Sequence, residues 1–124
     1  MFRITELLHV SLLVSDLEQA RVFYEEVLGL APLPERPPLP FPGVWYAAGR
    51  QQIHLIALPN PDKDVPRPEH GGRDRHAAFA VTGLDRLRQA LEAAQVPYTL
   101  SRSGRRALFC RDPEGNALEF VEAG

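Results

Sequence analysis

Cysteine is almost missing from this 124-residue chain: Cys110 is the only one. That excludes an internal disulfide framework and fits a reducing compartment. No charge of one sign dominates either. Fourteen Lys and Arg against sixteen Asp and Glu leave a net charge of −2, which gives no electrostatic reason to expect nucleic acid or an acidic membrane surface as a partner. The arginines are scattered, without a basic run interleaved with aromatics. No apolar run is long enough to span a bilayer, and the opening "MFRITELLHV" lacks the basic region and apolar core of a secretion signal. These absences predict a cytoplasmic protein with no nucleic-acid or membrane partner. The length suits one compact domain with a real core.

Proline, by contrast, is plentiful. Most of the 12 prolines fall in "APLPERPPLPFPG" (31–43) and "LPNPDKDVPRP" (58–68). Neither stretch can be a helix or a central strand. The first reads as an irregular, partly extended loop that hides a poorly defined strand somewhere in 31–39; the second reads as a linker.

The chain is written twice. "HVSLLVSDLEQARVFYEEVLGL" begins at His9, and "HAAFAVTGLDRLRQALEAAQVP" begins 67 positions later, at His76. Each copy opens as an apolar strand led by a histidine. A helix-start pattern follows, Ser15-x-x-Glu18 in one copy and Thr82-x-x-Asp85 in the other. Leu17, Ala20, Tyr24, Val27 and Leu28 make one helical stripe, and Leu84, Leu87, Leu91 and Ala94 the other. Gly29 and Pro97 mark the helix ends. The copies also close alike: "QQIHLIAL" (51–58) resembles "NALEFVEA" (116–123), with His54 against Glu119. Further strands are expected at about 44–48, 52–57, 98–101, 105–110 and 117–122. The turn "DPEGN" has Pro second and Gly fourth, the pattern that a type I turn in a hairpin loop favours.

Strand parity then sorts the polar residues. Leu8, Val10, Leu12 and Val14 oppose His9; Ile53 and Leu55 oppose His54; Ala77, Phe79 and Val81 oppose His76; Leu118 and Phe120 oppose Glu119. The apolar face of each strand can take a helix, which leaves three imidazoles and a carboxylate on the other face of the sheet. Such a donor set suits a divalent transition metal, Zn, Ni, Fe or Mn, better than calcium. The fourth histidine, His70 in "PEHGGRD", lies in the linker and is not expected to be a ligand.

These motifs resemble the vicinal oxygen chelate superfamily, which includes glyoxalase I, fosfomycin-resistance proteins, methylmalonyl-CoA epimerase, extradiol dioxygenases and bleomycin-resistance proteins. The resemblance covers nearly the whole chain outside the proline-rich loops. It implies an α+β fold: a single domain over 1–124, built from two βαβββ modules at about 5–58 and 75–122. A Pro-rich linker, 59–74, would join them, and the modules would form a curled mixed sheet with helices on its outer face. It implies His9, His76 and Glu119 as the recurring metal ligands, with His54 at the variable fourth position. Glyoxalase I usually has glutamate where His54 stands, so the set departs from that enzyme. Extradiol dioxygenases use two histidines and one glutamate, with another histidine as an acid–base group.

The expected function is therefore a metal-dependent lyase or isomerase of the glyoxalase kind, acting on a small substrate that chelates the metal through neighbouring oxygens. Glu119 and His54 are the candidate acid–base groups. Two alternatives stand beside it: an extradiol-type dioxygenase, and a non-catalytic small-molecule binding protein. "SRSGRRALF" (101–109) reads either as an anion clamp or as a solvated hairpin. Arg36, Trp45 and Tyr46 either border the cup or pack beneath it. Cys110 reads as a small buried residue. Each module presents a sheet edge that another module must close, and the resemblance implies a homodimer, since small members of that family are commonly dimers. The linker could reach about 50 Å at roughly 3.3 Å per residue, so modules can pair within a chain or across the dimer.

Overall fold

The computed structural model describes residues 1–123. In chain order the elements are β1 (His9–Leu13), α1 (Leu17–Arg21) running on as a π-helical segment (Val22–Val27), β2 (Gly43–Ala48) and β3 (Gln51–Ile56). A 3₁₀ turn (Gly71–Arg73) precedes β4 (His76–Val81), α2 (Leu84–Ala93), β5 (Tyr98–Leu100), β6 (Ala107–Arg111) and β7 (Ala117–Glu122). The strands form two mixed sheets, ordered β1-β3-β2 and β4-β7-β6-β5. In each, the first strand of the half pairs in parallel with the last, and the remaining pairs are antiparallel. The registers correspond as well. His9 faces Gln52, two residues before His54, and His76 faces Ala117, two residues before Glu119.

Both helical stripes enter one core. Ala20, Phe23 and Tyr24 from the first helix and Leu84 and Leu91 from α2 join Val44, Tyr46, Ile53, Leu55, Leu108, Leu118 and Phe120 from the sheets. Ala94, expected on the second stripe, instead lies just past the helix and is exposed.

The start-of-helix patterns are used differently from the expectation. Asp16, not Ser15, caps α1 and accepts from the Gln19 amide at 3.0 Å. Ser15 gives its amide and hydroxyl to Glu114 instead, at 2.8 and 3.1 Å. Before α2 the cap position is Gly83, in the left-handed region at φ 79°, with no side-chain cap of its own. The Glu122 carboxylate, at the end of β7, accepts from the amides of Gly83 and Leu84. A carboxylate from a distant strand thus satisfies the orphan donors that a local side chain would otherwise take.

The strand anticipated within 31–39 is not formed. One bridge, Pro32 to Tyr46, with the Leu33 amide on the Trp45 carbonyl at 2.7 Å, is all that remains of it. Pro32, Pro34, Pro37 and Pro38 have no amide hydrogens, so no ladder can propagate.

The turn after β6 ties the two halves together. Gly115 donates its amide to the Asp112 carbonyl at 3.0 Å, closing the turn. The Asp112 carboxylate accepts from the amides of Glu114 and Asn116 and from the buried Tyr24 hydroxyl at 2.7 Å. Asn116 donates to the Leu13 carbonyl at 3.1 Å. Burial pushes the Asp112 carboxyl up despite these donors, and burial with Asp112 beside it pushes the Tyr24 phenol up. Tyr24→Phe is expected to cost about 1–3 kcal/mol, because it strips a donor from a buried carboxylate. Urea unfolding of both proteins measures it; an unchanged midpoint would show that the bond carries no net stability.

Candidate metal and substrate site

Each half presents its polar pair on one face. His9 and Ser11 stand on the same side of the first sheet as Gln52 and His54, and His76 and Ala78 on the same side of the second as Ala117 and Glu119. The expected parity therefore holds within each sheet.

On the first sheet the rings are stacked three deep. His54 lies between His9, with centroids 4.1 Å apart, and Trp45, with centroids 3.8 Å apart and planes within 4°. The His54 Nε2 is 2.8 Å from the Gln52 side-chain oxygen. His54 is buried, and burial first, then His9 and Arg36 nearby, hold its pKa below the usual imidazole value. Trp45 therefore belongs to the site as the wall that fixes His54, whereas Tyr46 belongs to the core and donates to Glu25 at 2.8 Å. Arg36 reaches the same region: its guanidinium donates to the Phe41 carbonyl, and its Nε is buried without a partner.

On the second sheet Glu119 is buried, and its two oxygens are held from opposite sides. His76 Nε2 stands 3.2 Å from Oε1, and Arg105 donates to Oε2 at 2.8 Å. The His76 Nδ1 donates to the Asp74 carbonyl at 2.9 Å, which orients the ring and turns Nε2 toward Glu119, where its lone pair is available to a metal. Asp74 is itself anchored. Burial alone would raise its carboxyl, but hydrogen bonds from Arg111 and Arg67 outweigh burial and bring it down to about 2. The ring of His76 meets Phe109 edge-on.

The two pairs are not one cluster within the chain. Among the described residues no group of three or more His, Cys, Asp and Glu side chains is set to hold a metal. His9 and His76 instead flank a groove of about 850 Å³ between the β1 and β4 edges, with Tyr24, Leu30 and Phe120 among its lining. The donor chemistry, imidazole with carboxylate, fits a borderline divalent metal, and within the chain the donors stand as two separate pairs.

Sequence reasoning missed several partners. Gln52 shares the parity of His54 two residues away, a signal that was available. The hold of Arg105 on Glu119 needs the 101–106 hairpin to fold back over β7, and nothing local encodes that. His70, read as a linker residue, is buried against Phe109, with Nδ1 2.7 Å from the Thr99 hydroxyl. Cys110 is buried as expected, and burial pushes its thiol up to about 12.

A metal at Glu119 would have to displace Arg105. Because the Arg105 side chain is 58 % exposed, Arg105→Ala is expected to tighten divalent-metal binding only a few-fold, at most about fivefold, as suits a solvated ion pair. A competition titration against a chromophoric chelator checks this; weaker binding in the variant would show that Arg105 supports the site instead of competing for it.

Comparison with known proteins gives the family of the chain. Residues 6–120 match the family model of the Glyoxalase/Bleomycin resistance protein/Dioxygenase superfamily. The chain is 29% identical over 122 residues to Glyoxylase I 4 of Arabidopsis thaliana, covering 94% of this chain and 70% of that protein. Among solved structures it superposes on a glyoxalase family protein from Bacillus anthracis with a TM-score of 0.79 and 26% identity, covering 100% of this chain and 99% of the other. Lactoylglutathione lyase from Agrobacterium tumefaciens gives a TM-score of 0.68 and 27% identity, with 98% and 96% covered. No helix among the described residues is long and apolar enough to cross a membrane. With its two mixed sheets, corresponding registers and a family match over most of its length, the chain belongs to the Glyoxalase/Bleomycin resistance protein/Dioxygenase superfamily.

Proposed function

We propose that this protein is a metal-dependent lyase or isomerase of the glyoxalase kind, working as a cytoplasmic homodimer. In this reading each site takes His9 and His54 from one protomer and His76 and Glu119 from its partner. The observation that carries the proposal is the division of four metal-type donors into two matched pairs, each on the same face of its own sheet. Each pair alone is too few for a stable transition-metal site, and two pairs together are enough. The unpaired outer edges of β1 and β4 supply surfaces that a second copy can cover.

When bound, the metal supplies Lewis acidity that stabilises negative charge on neighbouring substrate oxygens. The chain's own residues do the rest. The Asp74 carbonyl orients His76. Gln52 and the stack with Trp45 hold His54 in one plane. Glu119, buried and flanked by His76 and Arg105, is the group that takes a proton from the substrate carbon and returns it to a neighbouring atom. Arg105 holds the carboxylate in place before a metal binds and, being mostly exposed, can leave without disturbing the sheet.

The same residues support a second reading. His54 already has a hydrogen-bond partner at Nε2 and a ring packed on both faces, so His9, His76 and Glu119 can serve as a three-residue ligand set with His54 as an acid–base group. That is the arrangement of an extradiol-type dioxygenase. Elemental analysis of the purified protein, followed by turnover assays on 2-oxoaldehyde–thiol adducts and on catechols with Zn, Ni, Fe and Mn in turn, separates the readings. About one metal per chain and turnover of the adducts is the expected result. Turnover of catechols with iron or manganese would give the dioxygenase. A protein that binds no metal and turns over neither would be a small-molecule binding protein on the same fold.

A further inference from the structure

A second cleft, of about 520 Å³, opens beside the His76–Glu119 pair, between the 3₁₀ turn at Gly71–Arg73 and the hairpin 101–106. Its lining is cationic and polar: Arg73, Arg102, Arg105, Ser101, Ser103 and His70. The charge balance of the chain makes this unusual. Eight of the 13 arginines, Arg21, Arg50, Arg67, Arg75, Arg88, Arg105, Arg106 and Arg111, sit within reach of a carboxylate. Arg73 and Arg102 have no such partner among the described residues, and both line this one cleft. The only carboxylate in the lining, Glu119, is already engaged by Arg105 and His76.

The back of the cleft is shaped around His70. Its Nδ1 is 2.7 Å from the Thr99 hydroxyl. With that hydroxyl donating, the ring proton sits on Nε2. A Cβ on Gly72 would stand 2.8 Å from Nε2 and 3.1 Å from the tip of Phe109, so only glycine keeps that nitrogen uncovered. At the hairpin, Ser103 is held by the Ser101 hydroxyl and by Arg105.

We propose that this cleft is an oxyanion subsite: Arg73 and Arg102, with His70 Nε2 behind them, hold a carboxylate or phosphate borne by the substrate whose reacting oxygens lie at His76 and Glu119. This rests on the proposed function for the position of the reacting end, but binding of the anion does not need the metal. Two guanidinium groups with free donors suit an oxyanion bidentately. The uncovered Nε2 donates to the anion when the Thr99 hydroxyl donates to Nδ1, and this gives the site a direction.

The test uses metal-free, full-length protein at low ionic strength, titrated separately with inorganic phosphate and with succinate. Calorimetry gives affinity, and ¹⁵N-histidine spectra report on His70. Saturable binding of either anion with movement of the His70 Nε2 signal is expected, and the one that binds identifies the phosphate or carboxylate class. The double variant R73Q/R102Q should weaken binding at least about tenfold, the worth of one charge-assisted hydrogen bond. Gly72→Ala, with every charge retained, should abolish the His70 response. Arg86→Gln, removing an unpaired arginine on α2, should leave binding unchanged. Three results would overturn the subsite: no saturation by either anion, wild-type affinity in the double variant, or an equal loss in Arg86→Gln. A protein that binds the anion here but never binds a metal would keep this subsite while refuting the metal-dependent function.

Discussion

Replacing His76 with alanine is expected to abolish tight divalent-metal binding and leave the fold intact. The loss should exceed the roughly 10–100-fold that removal of an outer-shell partner costs, because His76 is a ligand in this reading, and half of the pair that its sheet supplies. The fold should survive because the ring packs at the surface: it stands edge-on to Phe109 and reaches the Asp74 carbonyl, but lies on the exposed face of β4. The core contacts of that strand come from Ala77, Phe79 and Val81, which point the other way. Arg105 still holds Glu119 when His76 is gone, so no buried charge is stranded. A stability change within about 1 kcal/mol follows. Equilibrium dialysis with elemental analysis reads the first effect and thermal unfolding of the apo protein the second. Unchanged metal stoichiometry would remove His76 from the site. A collapsed melting temperature with metal still bound would make it a structural residue.

The pairing of His9 with His54 and of His76 with Glu119 was legible because strand alternation is local: neighbouring residues fix which face a side chain takes. The repeat was legible for the same reason, since each half restates the same local pattern. What stayed hidden depends on partners far along the chain. Ser15 looks like a helix cap until Glu114, 99 residues on, takes its amide and hydroxyl. Thr82 looks like another until Glu122 caps the helix from β7. His70 looks like a linker histidine, but Gly71 and Gly72 let the chain press against Phe109, where a Cβ on Gly71 would come within 3.2 Å of the Phe109 Cβ. Two successive glycines beside a histidine were a readable sign of close approach. The contact they made could not be read, because β6 had no sequence link to them. Nor could the sequence tell whether the two half-sites meet, since periodicity within one chain says nothing of how copies associate.

Mixing two inactive variants decides how the half-sites meet. His9→Ala and Glu119→Ala each remove one donor, one from each pair. If a site is built within a chain, every site in either variant lacks a donor, and mixing changes nothing. If a site is shared across a dimer, a hybrid dimer has two unlike sites. One joins His54 alone to His76 alone, missing both His9 and Glu119. The other joins the intact His9–His54 pair of the Glu119→Ala chain to the intact His76–Glu119 pair of the His9→Ala chain. Half of the sites in a hybrid are therefore whole, and random exchange makes half of all dimers hybrids. About one quarter of the wild-type tight metal capacity should return, from near zero in either variant alone. Subunit exchange is verified with two differently tagged chains, and capacity is read by elemental analysis after dialysis against a chelator weaker than the site. Recovery near one quarter establishes sharing. No recovery in a demonstrated hybrid would place the site in cis, requiring the β1 and β4 edges of one chain to close the 850 Å³ groove between His9 and His76. A monomer at micromolar concentration by light scattering would refute the shared site at once.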